Sequence, residues 1–106
     1  MKIIIAGAGD VGRHLAKMLS SDLHDIIIID HDEASLKGIG NAFDIMTLTG
    51  SATSFDTLKT ANVKKSDLYI AVTNSEEVNI TSSIIAKRLG VKQCIARVDN
   101  AEYIRP

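Results

Sequence analysis

A single cysteine, Cys94, leaves no partner for an intrachain disulfide, which fits a reducing cytoplasm; the residue reads as a small buried hydrophobe in a strand. Long apolar runs are missing too. Ile3 to Ala6 and Ile26 to Ile29 are four residues each, against about 20 needed to span a bilayer, so no direct membrane insertion is expected. The hydrophobic start is too short for a signal peptide and runs straight into glycines. Neither sign of charge dominates: a net charge of −1 excludes the strongly basic field of a nucleic-acid binder. Tryptophan is absent and proline occurs once, yet 45% of residues are hydrophobic and 24% charged, an ordinary globular mix. The length of 106 residues suits one domain with a real core and little room for a second.

What is present centres on Lys2 to Leu19. The β-branched run Ile3 to Ile5 leads into Gly7-Ala8-Gly9-Asp10-Val11-Gly12, and Val11, Leu15, Met18 and Leu19 follow at helical spacing. Strand, glycine turn and helix in that order match the dinucleotide-binding fingerprint. Gly7 lets the chain leave the strand in a tight turn. Gly9 lets a pyrophosphate approach the backbone, and Gly12 lets the helix pack closely. The free N–H groups and the dipole of that helix favour phosphate. The Asp10 side chain would repel a phosphate, so its backbone is expected to face the ligand. The second half of the signature is Asp30, 18 residues after Gly12 at the tip of Asp25-Ile-Ile-Ile-Ile-Asp30. An acid there accepts hydrogen bonds from ribose hydroxyls and repels a 2′-phosphate, which favours NAD over NADP.

The remaining chain alternates strand and helix, implying a Rossmann-like, doubly wound parallel α/β sheet with right-handed crossovers. Strands are expected at Lys2 to Ala6, Asp25 to Asp30, Asp44 to Leu48, Leu68 to Thr73 and Gln93 to Val98. Helices are expected over about Asp10 to Ser20, Glu33 to Asn41 with Asp32 as N-cap, Phe55 to Ala61 capped by Ser54, and Glu76 to Leu89 closed by Gly90. Asp99 to Pro106 reads as the start of another helix. A strand order of 3-2-1-4-5 puts the switch point between strands one and four, so ligand should lie across the tips Gly7 to Gly12, Asp30, Gly50 to Thr53, Thr73-Asn74 and Arg97. Arg97, at a strand end near the phosphates, is placed for bidentate contact, with Arg13 a second candidate. His31 reads as a solvated turn residue. Glu76-Glu77 suits the first turn of a helix. His14 and His24 have no acid or cysteine partners at metal-ligand spacing.

With these residues in view, the chain resembles the TrkA N-terminal (RCK) domains of the Trk potassium-uptake system. The matching segments are MKIIIAGAGDVG, the IIIID tip, AVTNSEEVN at Ala71 to Asn79, AKRLG at Ala86 to Gly90 and IARVDNAEY at Ile95 to Tyr103. The resemblance implies that Gly7 to Gly12 bind pyrophosphate and that Asp30 binds the adenosine ribose. It also implies that Thr73, Asn74 and Arg97 complete the site. Ser51 and Ala52 would lie near the adenine; family members often have Asp or Asn with Gly or Ala there, so a side-chain role for Ser51 stays open. It further implies a helix and strand beyond residue 106, then a separate domain.

The function expected on this basis is regulatory. The domain would bind NAD or NADH, with ATP left open, and report to a membrane potassium transporter subunit from the cytoplasmic face. A fragment of an NAD-dependent oxidoreductase and a structural assembly module are the alternatives. A dehydrogenase needs a substrate domain and a general acid or base, and nothing after Arg97 offers one. In the last helix Val78, Ile85 and Leu89 share a face suited to the sheet, with Ser82 and Ala86 near it. Ile80 and Ile84 point elsewhere. RCK domains assemble through helices on this side, so Ile80 and Ile84 are expected in or beside a homodimer or higher homo-oligomer interface.

Overall fold

The computed structural model describes residues 1–42, 45–100 and 102. Five strands make one all-parallel sheet: β1 (Lys2–Ala6), β2 (Asp25–Asp30), β3 (Met46–Thr49), β4 (Leu68–Ala71) and β5 (Gln93–Ala96). Their order, β3-β2-β1-β4-β5, is the expected one. Alternation divides the isoleucines of the central strands between two faces. Ile3, Ile5, Ile26 and Ile28 face one core, and Ile4, Ala6 and Ile29 face the other. Strands covered on both sides read as continuous apolar runs for this reason.

Helices α1 (Asp10–Ser21), α2 (Glu33–Leu36) and α3 (Ile39–Ala42) cover the first face through Leu15, Ala16, Leu19, Leu36 and Ile39. On the second face lie α4 (Phe55–Thr60), a 3₁₀ turn (Val63–Lys65) and α5 (Glu76–Leu89). They bury Leu58, Val63 and Ala86, with Val78, Ile85 and Leu89 packed alongside. The α5 stripe therefore lies on the sheet as its spacing predicts. Asp32, Ser54 and Ser75 cap α2, α4 and α5, each side chain accepting an N–H of its helix's first turn. Gly90, at φ 115°, closes α5 and donates its N–H to Ala86 and Lys87.

Four expectations need correction. The helix over Glu33 to Asn41 is two one-turn pieces, because Lys37 leaves helical geometry (ψ 135°) and Gly38 turns left-handed at φ 84°. In α1, Val11 and Met18 are exposed; Gly12 and Ala16 are the buried positions, so the apolar stripe is rotated onto its smaller members. Strand β4 ends at Ala71 rather than Thr73, since β1 has already turned away at Gly7. Strand β5 ends at Ala96, although Arg97 still donates its N–H to Ala71. The third strand spans Met46 to Thr49. Its expected start at Asp44 lies outside the described residues, as do Ala101 and residues 103–106 of the expected terminal helix.

Candidate functional site

The chain reverses its course between β1 and β4, which opens a crevice at the C-terminal edge of the sheet. The glycine loop fills one wall. Gly7 sits at φ 112°, and a Cβ there would come within 2.9 Å of the backbone of Val72 and Thr73. At Gly12 a Cβ would stand 1.8 Å from the Gly7 carbonyl oxygen, so this glycine is needed for the helix to meet its own loop. Gly9 is different: its φ is −76° and a Cβ would meet nothing within 4 Å. The fold does not require a glycine there, and the vacant approach fits a ligand phosphate.

The same residue heads α1 without a side-chain cap, whereas Asp32, Ser54 and Ser75 close α2, α4 and α5. The first-turn N–H groups of α1 are thus left for an anion, and the helix dipole favours one. Asp10 and Val11 lie exposed in this turn, and Gly12 is buried behind them.

Asp30 ends β2 with a largely covered side chain. Its Oδ2 accepts the Ala8 N–H at 2.8 Å and its Oδ1 the Asp32 N–H at 2.8 Å. The carboxylate therefore fixes the glycine loop against the β2 tip, a role the sequence did not announce. These two N–H groups use two of its four lone-pair sites. His31, with an 86% exposed side chain, places Nδ1 3.6 Å from Asp30 Oδ1.

A cavity of about 320 Å³ joins these parts. Gly7, Gly9, Asp30, Ser51, Ala52, Thr73 and Asn74, all expected from sequence, line it. His31 and Ser75 line it as well, and Ile29, Val72 and Val78 give it an apolar floor. Ser51 is occupied locally: its Oγ lies 3.0 Å from Thr53 Oγ1 and accepts the Thr53 N–H. Ala8, Asp10, Val11, Gly12 and Arg97 do not line the cavity. The Arg97 guanidinium instead pairs with Asp99, Nη2 to Oδ2 at 3.3 Å.

Sequence reasoning missed Asn79. It is 1% exposed, and its amide uses its full hydrogen-bonding capacity. Oδ1 accepts from Thr73 N (2.9 Å) and Thr73 Oγ1 (2.6 Å); Nδ2 donates to the Thr73 and Arg97 carbonyls, both at 3.1 Å. The signal available was a large polar residue on the inner face of α5, among Val78, Ser82, Ile85 and Ala86. Among the described residues no cluster of three or more His, Cys, Asp or Glu could hold a metal ion.

A second cavity, about 480 Å³, lies at the opposite edge against Lys2, Asp25, Asn62 and Ser66. It is the larger of the two, but no glycine turn lines it, and the one helix start at its wall is the single 3₁₀ turn that follows Asn62.

Comparison with known proteins matches residues 3–106 to the TrkA-N domain model. A Trk system potassium uptake protein TrkA homolog of Archaeoglobus fulgidus is 41% identical over 98% of this chain and 23% of its own. TrkA of Halomonas elongata is 36% identical over 97% of this chain and 22% of its own. The chain thus spans about a quarter of these relatives. Among solved structures, the Kef C-terminal domain of Shewanella denitrificans in AMP-bound form superposes with a TM-score of 0.76 at 21% identity, covering 90% of this chain and 57% of that one. A 3-hydroxyacyl-CoA dehydrogenase of Archaeoglobus fulgidus gives 0.67, also at 21%, over 90% of this chain and 33% of its own. At that identity the two structures speak to the fold alone. Matched over nearly its whole length, the chain belongs to the TrkA-N domain family.

Proposed function

We propose that this chain is a nucleotide-sensing domain of a potassium-uptake system, binding NAD or NADH, with ATP as a competing adenine nucleotide, and reporting its occupancy to a membrane transporter subunit. One observation carries the binding reading: Gly9, which heads α1 without a side-chain cap and has open space at its Cβ, lines the same cavity as the Asp30 carboxylate. The pyrophosphate would lie over Gly9 and the first turn of α1. The adenosine ribose would meet Asp30, with the base toward Gly50 to Ala52 and Asn74 at the phosphate side. The names of the relatives support the potassium-uptake context, and the AMP in the Kef structure supports an adenine nucleotide.

A regulatory role is favoured over catalysis because Asp30 and His31, side by side, are the ionisable groups among the described lining residues. Hydride transfer would call for an acid or base at the far end of a dinucleotide. No helix among the described residues is long and apolar enough to cross a membrane; the peripheral position on the cytoplasmic face is proposed from the Trk-system names of the relatives. The domain would assemble as a homodimer through the outer face of α5, where Ile84 is 55% exposed and Ile80 half-buried.

Calorimetric titration with NAD, NADH, ATP and NADP tests the reading. NAD or NADH should bind, and NADP about tenfold or more weakly, because its 2′-phosphate meets Asp30. No heat from any adenine nucleotide at millimolar concentration would overturn it.

A further inference from the structure

The first turn of α5 holds two stretches of chain that are far apart in sequence. Asn79 grips Thr73, which lines the cavity, and through the same amide it grips the carbonyl of Arg97, which lies outside it. Three positions earlier, and so on the adjoining helical face, Glu76 turns its carboxylate to the same departing segment. Its Oε1 accepts the N–H of Asp99 at 2.7 Å and of Asn100 at 2.6 Å. The Arg97 side chain folds along this segment onto Asp99 through Nε and Nη2.

The β4 tip and the chain leaving β5 therefore share one mount. Asn79 has no spare donor or acceptor, so neither Thr73 nor Arg97 can shift without breaking a buried hydrogen bond. A buried amide left unsatisfied is costly enough to make the two movements cooperative.

We propose that Asn79 and Glu76 couple occupancy of the nucleotide cavity to the order of the chain leaving β5, at Arg97 to Asn100. The proposal rests on the nucleotide-binding reading and adds the route by which binding is reported. A ligand that immobilises Thr73-Asn74 fixes Asn79, and Asn79 with Glu76 then fixes Arg97, Asp99 and Asn100. Coupling of this kind is reciprocal: loosening the departing segment must weaken the ligand by the same factor. Asn79 and Glu76 are positioning residues here, since neither lines the cavity.

The test is amide hydrogen exchange by NMR on the intact chain, with and without saturating AMP, alongside calorimetry on the same samples. AMP should slow exchange at Asp99 and Asn100 about fivefold or more. Glu76→Ala should remove that protection and weaken AMP about fivefold, while Glu76→Gln, which keeps an oxygen acceptor, should recover part of both. A helix-stabilising role alone would alter melting temperature without tying exchange at Asp99 and Asn100 to AMP. If AMP binds the wild-type chain and exchange at Asp99 and Asn100 does not change, or if folded Glu76→Ala binds AMP normally, the coupling is overturned. If AMP and NADH both fail to bind the wild-type chain, the nucleotide reading itself falls, and the coupling with it.

Discussion

Gly9 and Gly12 belong to one motif but answer to different forces, and substitution separates them. Gly9 has an ordinary φ and open space at its Cβ, so Gly9→Val should fold with a melting temperature within a few degrees of the parent. It should lose nucleotide affinity by about a hundredfold or more, measured by calorimetry, because the branched side chain occupies the phosphate approach. Gly12→Ala puts a methyl against the Gly7 carbonyl and should lower stability by about 1–3 kcal/mol, read from denaturant unfolding. Asp30, proposed to hold the ribose, also holds the glycine loop. In Asp30→Asn one carboxylate oxygen becomes an NH₂ facing either the Ala8 or the Asp32 N–H. Affinity for NAD should drop and the preference over NADP should shrink toward unity, seen by titrating both ligands. Tyr69 tests the interior. Burial pushes its phenol up to about 12, and its hydroxyl lies beside Ser82 without a satisfactory hydrogen bond. The folded state therefore holds this proton more tightly than the unfolded chain. The stability it contributes is complete below pH 10 and is lost as pH rises toward 12, about 3 kcal/mol in all. Tyr69→Phe should be at least as stable at neutral pH and should escape that alkaline loss. A stability difference between the two proteins that stays constant from pH 8 to 11.5 would contradict the assignment.

At the scale of elements, α5 was the most legible. Ser75 before it, Gly90 after it and the stripe of Val78, Ile85 and Leu89 agree on one helix with one buried face. The same spacing sets Ile80 and Ile84 aside, so converting both to Lys should lower the mass seen in analytical ultracentrifugation and leave NAD binding intact. A wild-type chain that sediments as a monomer at high concentration would remove that interface. The stretch after β2 was less legible. The helix-forming run Glu33 to Lys37 before Gly38 hid a break that depends on one left-handed residue. The ends of β4 and β5 were overextended because side-chain pattern continues past the point where neighbouring strands diverge. In the site, the glycines and Asp30 are carried by spacing that local sequence displays. Asn79 and Glu76 act through partners 6 to 24 residues away, and no local pattern shows such a pairing. Arg97 illustrates the converse: position at a strand end was readable, but its pairing with Asp99 was not.

Across the whole molecule, sheet order followed from the alternation of elements and crossover handedness, because few other arrangements bury both faces of Ile3 to Ala6 and Ile26 to Ile29. Two of the cavities among the described residues lie at opposite edges of that sheet. The larger lies against Lys2, Asp25, Asn62 and Ser66, and the smaller against the glycine loop, Asp30 and Thr73-Asn74. Volume alone would select the larger; the open Gly9 at the uncapped head of α1 and the Asp30 carboxylate, both in its lining, favour the smaller. Mapping the amide chemical-shift changes caused by AMP on the labelled chain decides between them most directly. The account predicts that the largest changes fall at Gly7 to Gly12, Asp30, Gly50 to Ala52 and Thr73-Asn74. Changes concentrated instead at Lys2, Asp25, Asn62 and Ser66 would contradict it.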